Sequence, residues 1–286
     1  MTRRFDLSAM LRFMIPWWWG FSLALLLPVC LLGFLLSGPH TLGAGLAWLV
    51  PVPCLIILDC LSGPERRRVP SHLAEPFLSL VLGLIAVLAP VNLVALGFFV
   101  MKLPEAFVPE AWWVTGVDLL ALRMLAGTTL CCSVIAPAHE LMHRRSRWVR
   151  RVARGLLILV FSDVFYFAHG GGHHRYLGEA QDPSTARLGE SYGEFFKRSW
   201  LTQWRQVRTL HPKAFRQGLV AQFLWVLIFG FAFGPLAALV WLYLSWVAVR
   251  LLEAVNYFQH YGLTAESCLS HHTAWRCDGA VSYFLF

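Results

Sequence analysis

What constrains this chain most is the length of its apolar runs. Residues 13–36, 42–61, 77–101, 112–137 and 218–252 are nearly free of charge, and each matches or exceeds the roughly 20 residues that a helix needs to cross a bilayer. Inside lipid every backbone polar group must be satisfied within the protein, which leaves helices or closed barrels. No stretch shows the alternation of barrel strands. The expected fold class is all-α: a polytopic membrane protein of about six transmembrane helices, with the last long run broken in two at Gly234-Pro235. Pro90 is expected to kink the third span. The chain is 57% hydrophobic, above the roughly 45–50% of soluble domains. Its length suits one membrane domain over 1–286 better than two. The first run is too long for a cleaved signal peptide and lacks a small-residue cleavage site.

The net charge of +8 does not point to nucleic acid. The arginines gather between spans, at Arg66-Arg67-Arg68, Arg144-Arg145-Ser146-Arg147 and Arg150-Arg151, as the positive-inside rule requires of cytoplasmic connections. That orientation puts both chain ends and every histidine motif on the cytoplasmic face of a bacterial inner membrane. Two further segments read as peripheral. Residues 155–168 are apolar but short, which predicts a re-entrant or interfacial helix. Trp200, Trp204 and Val207 recur at helical spacing among basic residues, which predicts a helix on the membrane surface. The seven cysteines form no C-x-x-C pair, and Cys131-Cys132, inside an apolar run, read as small buried hydrophobes.

Against this apolar background stand five of the eleven histidines, between 139 and 174. Histidines at the edge of lipid are costly unless something binds them, and metal is the usual reason. His139 and His143 are four apart, so on a helix they share a face about 6 Å apart along the axis. His169 and His173 repeat the spacing across Gly170-Gly171-Gly172, with His174 adjoining. The glycines leave room for close backbone approach. His260 sits in Asn256-Tyr257-Phe258-Gln259-His260-Tyr261-Gly262 and is a weak signal by itself. The spacing leaves the metal open among iron, zinc and copper. H-E-x-x-H also marks zinc proteases, where Glu140 would be the base, but no further acidic ligand on a later span is evident, and the glycine–histidine box would then be unexplained.

These motifs carry a resemblance. Leu58-Asp59 through Gly63, His139 to Arg144, His169 to His174, Gln181-Asp182-Pro183, Ala186-Arg187-Leu188-Gly189-Glu190-Ser191 and Asn256 to Leu263 resemble the membrane-bound alkane 1-monooxygenases and the related xylene monooxygenase hydroxylases, within the integral-membrane fatty acid desaturase-like superfamily. The resemblance runs from about residue 50 onward. It implies a non-haem di-iron centre whose ligands would be His139, His143, His169, His173, His174 and His260. Glu140 would orient a ligand imidazole, the plainer reading being a solvated helix face. Asp182 and Arg187 are expected to pair, either to fix a loop over the site or as an ordinary surface ion pair.

The implied reaction is hydroxylation of the terminal methyl of an alkane or alkyl side chain, with O2 as co-substrate. Electrons would come from rubredoxin and an NADH-dependent rubredoxin reductase, since nothing in the sequence resembles a flavin, haem or nicotinamide site. The substrate would enter from the bilayer. The nearest alternative is a desaturase or hydroxylase acting on fatty acyl chains with the same metal centre. From another class, the alternative is an inactive or incomplete membrane metal-binding protein. Two departures are visible. Ala168 stands where the family has Glu, and the family's last box, of the type Q-R-H-x-x-H-H, is expected just beyond Val281–Phe286, so this piece is expected to lack it. His271 and His272 are weak substitutes. His40, His72 and His211 have no motif around them and read as structural or solvated.

Overall fold

This computed structural model describes residues 21–62, 71–173 and 176–264. Among the described residues all regular structure is helical, in eleven α-helices: α1 Leu26–Ser37, α2 Leu42–Ala47, α3 Pro51–Ser62, α4 Ser71–Ala106, α5 Trp112–Leu130, α6 Ala136–Met142, α7 Arg147–Leu159, α8 Asp163–Ala168, α9 Tyr192–Leu210, α10 Pro212–Phe233 and α11 Pro235–His260. Two π-helical turns, Cys131–Ile135 and His169–His173, adjoin α6 and α8. Five stretches are long and apolar enough to cross a membrane: Leu42–Leu61, Ala74–Ala106, Pro109–Met142, Pro212–Phe233 and Pro235–His260. Leu23–Ser37 is a shorter apolar helix where the sequence predicts a span over 13–36, part of which lies outside the described residues. The break between the last two spans falls at Gly234, whose φ of 89° ends α10. α4 runs through Pro76, Pro90 and Pro104 as one helix.

The described residues form two compact units, 21–137 and 138–264. In the first, α1 packs on α4 and α5 around Leu27, Leu31, Phe34, Ile85, Phe99, Leu122 and Leu125. Pro28 has no N–H to give the Ala24 carbonyl, and the Ser133 hydroxyl, in the first π turn, donates to it at 3.2 Å. Asn92, buried in α4, donates to the Pro28 carbonyl at 3.1 Å. His40 is structural. Its backbone N–H and Nδ1 reach the two Asp118 oxygens at 2.8 and 2.9 Å, and its ring stacks on Phe34. Trp48 meets Phe34 edge-on.

In the second unit the predicted single helix over 155–168 is two helices. α7 starts in the arginine run and stops in a Schellman arrangement. Ser162 N–H bonds Leu157 O, Phe161 N–H bonds Ile158 O, and Phe161 takes the left-handed position at φ 55° that glycine usually fills. Periodicity could not show the stop because the glycine that signals it is absent. Arg154 of α7 then ties three helices together. It donates to both Asp163 oxygens at 2.8 and 3.0 Å and to the Ala214 carbonyl at 2.9 Å. Asp163 lies so close to Gly218 of α10 that no Cβ fits there. Trp241 of α11 donates to the Leu159 carbonyl at the end of α7, satisfying a group the helix leaves open.

Candidate metal centre

His139 lies in the last turn of α6 and His143 just beyond it, where the helix unwinds. Arg150 donates to the Arg144 and Arg145 carbonyls at 2.9 and 2.8 Å, so the arginine run also closes the helix end carrying these histidines. His169 and His173 bound the second π turn, a form of helix that recurs at functional sites. Of its glycines only Gly170 is crowded: a Cβ there would meet Met142 Cε at 3.2 Å, whereas nothing lies within 4 Å at Gly171.

These two segments bring three imidazoles together. His139 Nε2 is 3.2 Å from His143 Nε2 and 2.8 Å from His169 Nε2, and the ligand atoms of all three lie within 4.8 Å of one another. A ring nitrogen carries either one proton or one in-plane lone pair, so His139 Nε2 cannot serve both neighbours equally by hydrogen bonding. A metal ion accepting three lone pairs does so. Metal–imidazole bonds of about 2.0–2.1 Å set neighbouring ligand nitrogens about 3 Å apart, close to the two separations from His139 Nε2. The donor set therefore fits a transition metal. Phe165, buried, stacks on His169 with centroids 4.7 Å apart and backs the ring with apolar surface.

A second group adjoins the first. The His173 ring lies 5.0 Å from that of His169 and 4.8 Å from that of His260, and both His173 and His260 are buried. His173 Nδ1 meets Asp182 Oδ2 at 2.9 Å, the carboxylate–histidine contact that orients metal-ligating imidazoles. This corrects the expected Asp182–Arg187 pair. Asp182 is 1% exposed and its oxygens accept from His173, the Thr185 hydroxyl at 2.6 Å and the Ser184 N–H at 3.0 Å, and among the described residues its ion-pair partner is His173. Glu140 meets Arg144 at 3.0 Å on a partly exposed helix face. His174, His271 and His272 lie outside the described residues, and so does the side chain of His72. His211 stands at the start of α10, its ring 5.2 Å from Phe167.

The loop that carries Asp182 is held from two directions. Arg198 of α9 grips Glu190 with bonds of 2.7 and 2.8 Å and donates to the Thr185 and Pro183 carbonyls. Its guanidinium holds the Glu190 carboxyl below the usual carboxylate range. From the end of α11 and the turn just after it, Tyr257 donates to Glu190 O, Tyr261 accepts from Gly189 N–H, and Gly262 N–H bonds Ala186 O. The two sequence motifs Ala186–Ser191 and Asn256–Gly262 are thus one structure. A Ser191–Glu194 capping box starts α9. Sequence reasoning missed Arg198 and, more importantly, Glu253, an acid 2% exposed within the last apolar span. An ionisable residue inside such a span was the available signal.

A family model described as fatty acid desaturase matches residues 111–286. Alkane 1-monooxygenase 1 of Pseudomonas aeruginosa is 31% identical over 228 residues, covering 72% of this chain and 57% of the relative. Alkane 1-monooxygenase 1 of Alcanivorax borkumensis is 30% identical over 184 residues, 56% of this chain and 44% of the relative. The xylene/toluene monooxygenase hydroxylase component of Pseudomonas putida is 27% identical over 181 residues, 57% and 47% respectively. The chain spans about half the length of the curated relatives it matches.

Proposed function

The chain belongs to the fatty acid desaturase family, and from that premise we propose that it is a membrane-bound non-haem di-iron monooxygenase that hydroxylates the terminal methyl of an alkane or alkyl side chain. The observation that carries the reading is the convergence of His139, His143 and His169 on one point beside the His173–His260 pair, in a chain whose relatives are named as alkane 1-monooxygenases. His139, His143 and His169 would hold one iron, and His173 and His260, with His174, would hold the other. When bound, the metal pair supplies the O2 activation that no side chain can provide for an unactivated C–H bond.

The residues of this chain do the positioning. Asp182 accepts from His173 Nδ1–H and so leaves Nε2 as the ligating nitrogen. Phe165 fixes the His169 ring and keeps water from its inner face. Glu140, paired with Arg144, steadies the helix end beneath His139 and His143. The balanced reaction takes the alkane, O2, two electrons and two protons to a primary alcohol and water. The electrons come from rubredoxin, fed by an NADH-dependent reductase, and the acidic donor docks on the arginine-rich face. The site faces the cytoplasm from the inner membrane, and the hydrocarbon enters from the lipid.

The test is product analysis. Membranes containing the protein, supplied with octane, 18O2, rubredoxin, its reductase and NADH, are expected to yield 18O-labelled 1-octanol that is lost with His169→Ala. The family model's own description favours one second reading, action on fatty acyl chains. Labelled hydroxy-acyl or newly unsaturated lipid in place of octanol would select it.

A further inference from the structure

Glu253 lies seven residues before His260 on α11, which puts both on one helix face, and it is 2% exposed. Its Oε2 accepts from Ser199 Oγ at 2.9 Å and its Oε1 from Gln203 Nε2 at 2.9 Å. Ser199 and Gln203 are one turn apart on α9, both buried, and Gln203 spends its other amide hydrogen on Ser199. These donors are neutral. Among the described residues no Lys or Arg makes an ion pair with Glu253. A carboxylate buried among neutral donors remains costly, because hydrogen bonds replace only part of its hydration and no opposite charge offsets the rest.

Along that face of α11 lies His260, whose ring is 4.8 Å from that of His173, and His173 in turn meets Asp182 at 2.9 Å. Imidazole ligands bring no charge of their own, so an all-histidine site leaves several positive charges on its metals, and buried acids nearby must balance them. We propose that Glu253, held by Ser199 and Gln203 and not itself a ligand, is the buried counter-charge of the metal centre. It is a positioning residue whose desolvation cost is offset only when metal is bound. The inference rests on the reading of the histidine cluster as a metal site, which it deepens by linking metal loading to the stability of the α9–α11 contact.

The experiment titrates ferrous ion into the metal-stripped, detergent-solubilised full chain and records thermal unfolding with and without the ion, for wild type, Glu253→Gln and Glu253→Asp. Glu253→Gln keeps the shape and loses the charge. It is expected to bind ferrous ion about 10- to 100-fold more weakly, to unfold at the same or a higher temperature than wild type when metal-free, and to gain less from metal. Glu253→Asp keeps the charge at some loss of hydrogen bonding, and its affinity stays within a few-fold of wild type. The proposal is overturned if Glu253→Gln binds as wild type does, if it is less stable without metal, or if Glu253→Asp loses as much affinity as Glu253→Gln. Failure of the wild type to bind ferrous ion would instead bring down the di-iron reading, and this inference with it.

Discussion

Asp182 acts on two parts of the site at once. One carboxylate orients His173 and also accepts from Thr185 and Ser184, so the ring and the loop are set by the same atoms. Asp182→Asn keeps the size and loses the charge, and is expected to weaken ferrous-ion binding about 10- to 100-fold, read by titration of the metal-free protein. In the first unit, Asp118 is held by both His40 and its backbone N–H. Ser37, His40 and Asp118 form a chain of contacts at 3.0 and 2.9 Å that looks like a serine hydrolase relay. The Ser37 hydroxyl, however, donates to Gly33 O at 2.7 Å, so its proton is committed to the backbone and not to the ring. The trio fastens the turn between α1 and α2. Asp118→Asn is expected to cost about 1–3 kcal/mol, as leaving a buried hydrogen-bonding group unsatisfied does, measured by denaturant unfolding.

At the scale of elements, the site depends on the 182–191 loop and on the seating of α8 against α10. Because Arg198 holds Glu190 below the usual carboxylate range, that pair stabilises the loop above the ordinary glutamate pKa of about 4.3, and its contribution is lost as pH falls through the depressed folded value. Amides 186–191 are expected to exchange faster in Glu190→Gln than in wild type at neutral pH, with the difference closing on acidification. Gly218→Ala puts a methyl where Asp163 lies. It is expected to cost about 1–3 kcal/mol through overpacking and loss of the Arg154 clamp, read as a lowered melting temperature.

Sequence reasoning reached these elements unevenly. The histidine spacings, the glycine box and the span break at Gly234 were legible because they are local patterns. The stop at Phe161 was not, since it uses a non-glycine residue in a glycine position. Nor was the buried face of α9. Trp200 and Trp204 suggested an apolar stripe, yet the residues that face inward include Ser199 and Gln203, polar side chains whose partner on α11 is distant in the chain.

At the scale of the molecule, length and hydropathy were enough for the class. The six predicted spans correspond to five membrane-length helical stretches and one shorter apolar helix among the described residues. The family followed from motifs whose tertiary logic the fold supplies: the two stretches after the histidine boxes bind each other and hold the Asp182 loop. The central claim is that these histidines hold two irons, and the most direct measurement is metal content per chain on purified, detergent-solubilised protein, by elemental analysis, beside His169→Ala. The account predicts two irons per chain, with loss of at least one in the variant. A single zinc, or wild type and variant with equal iron, would contradict it.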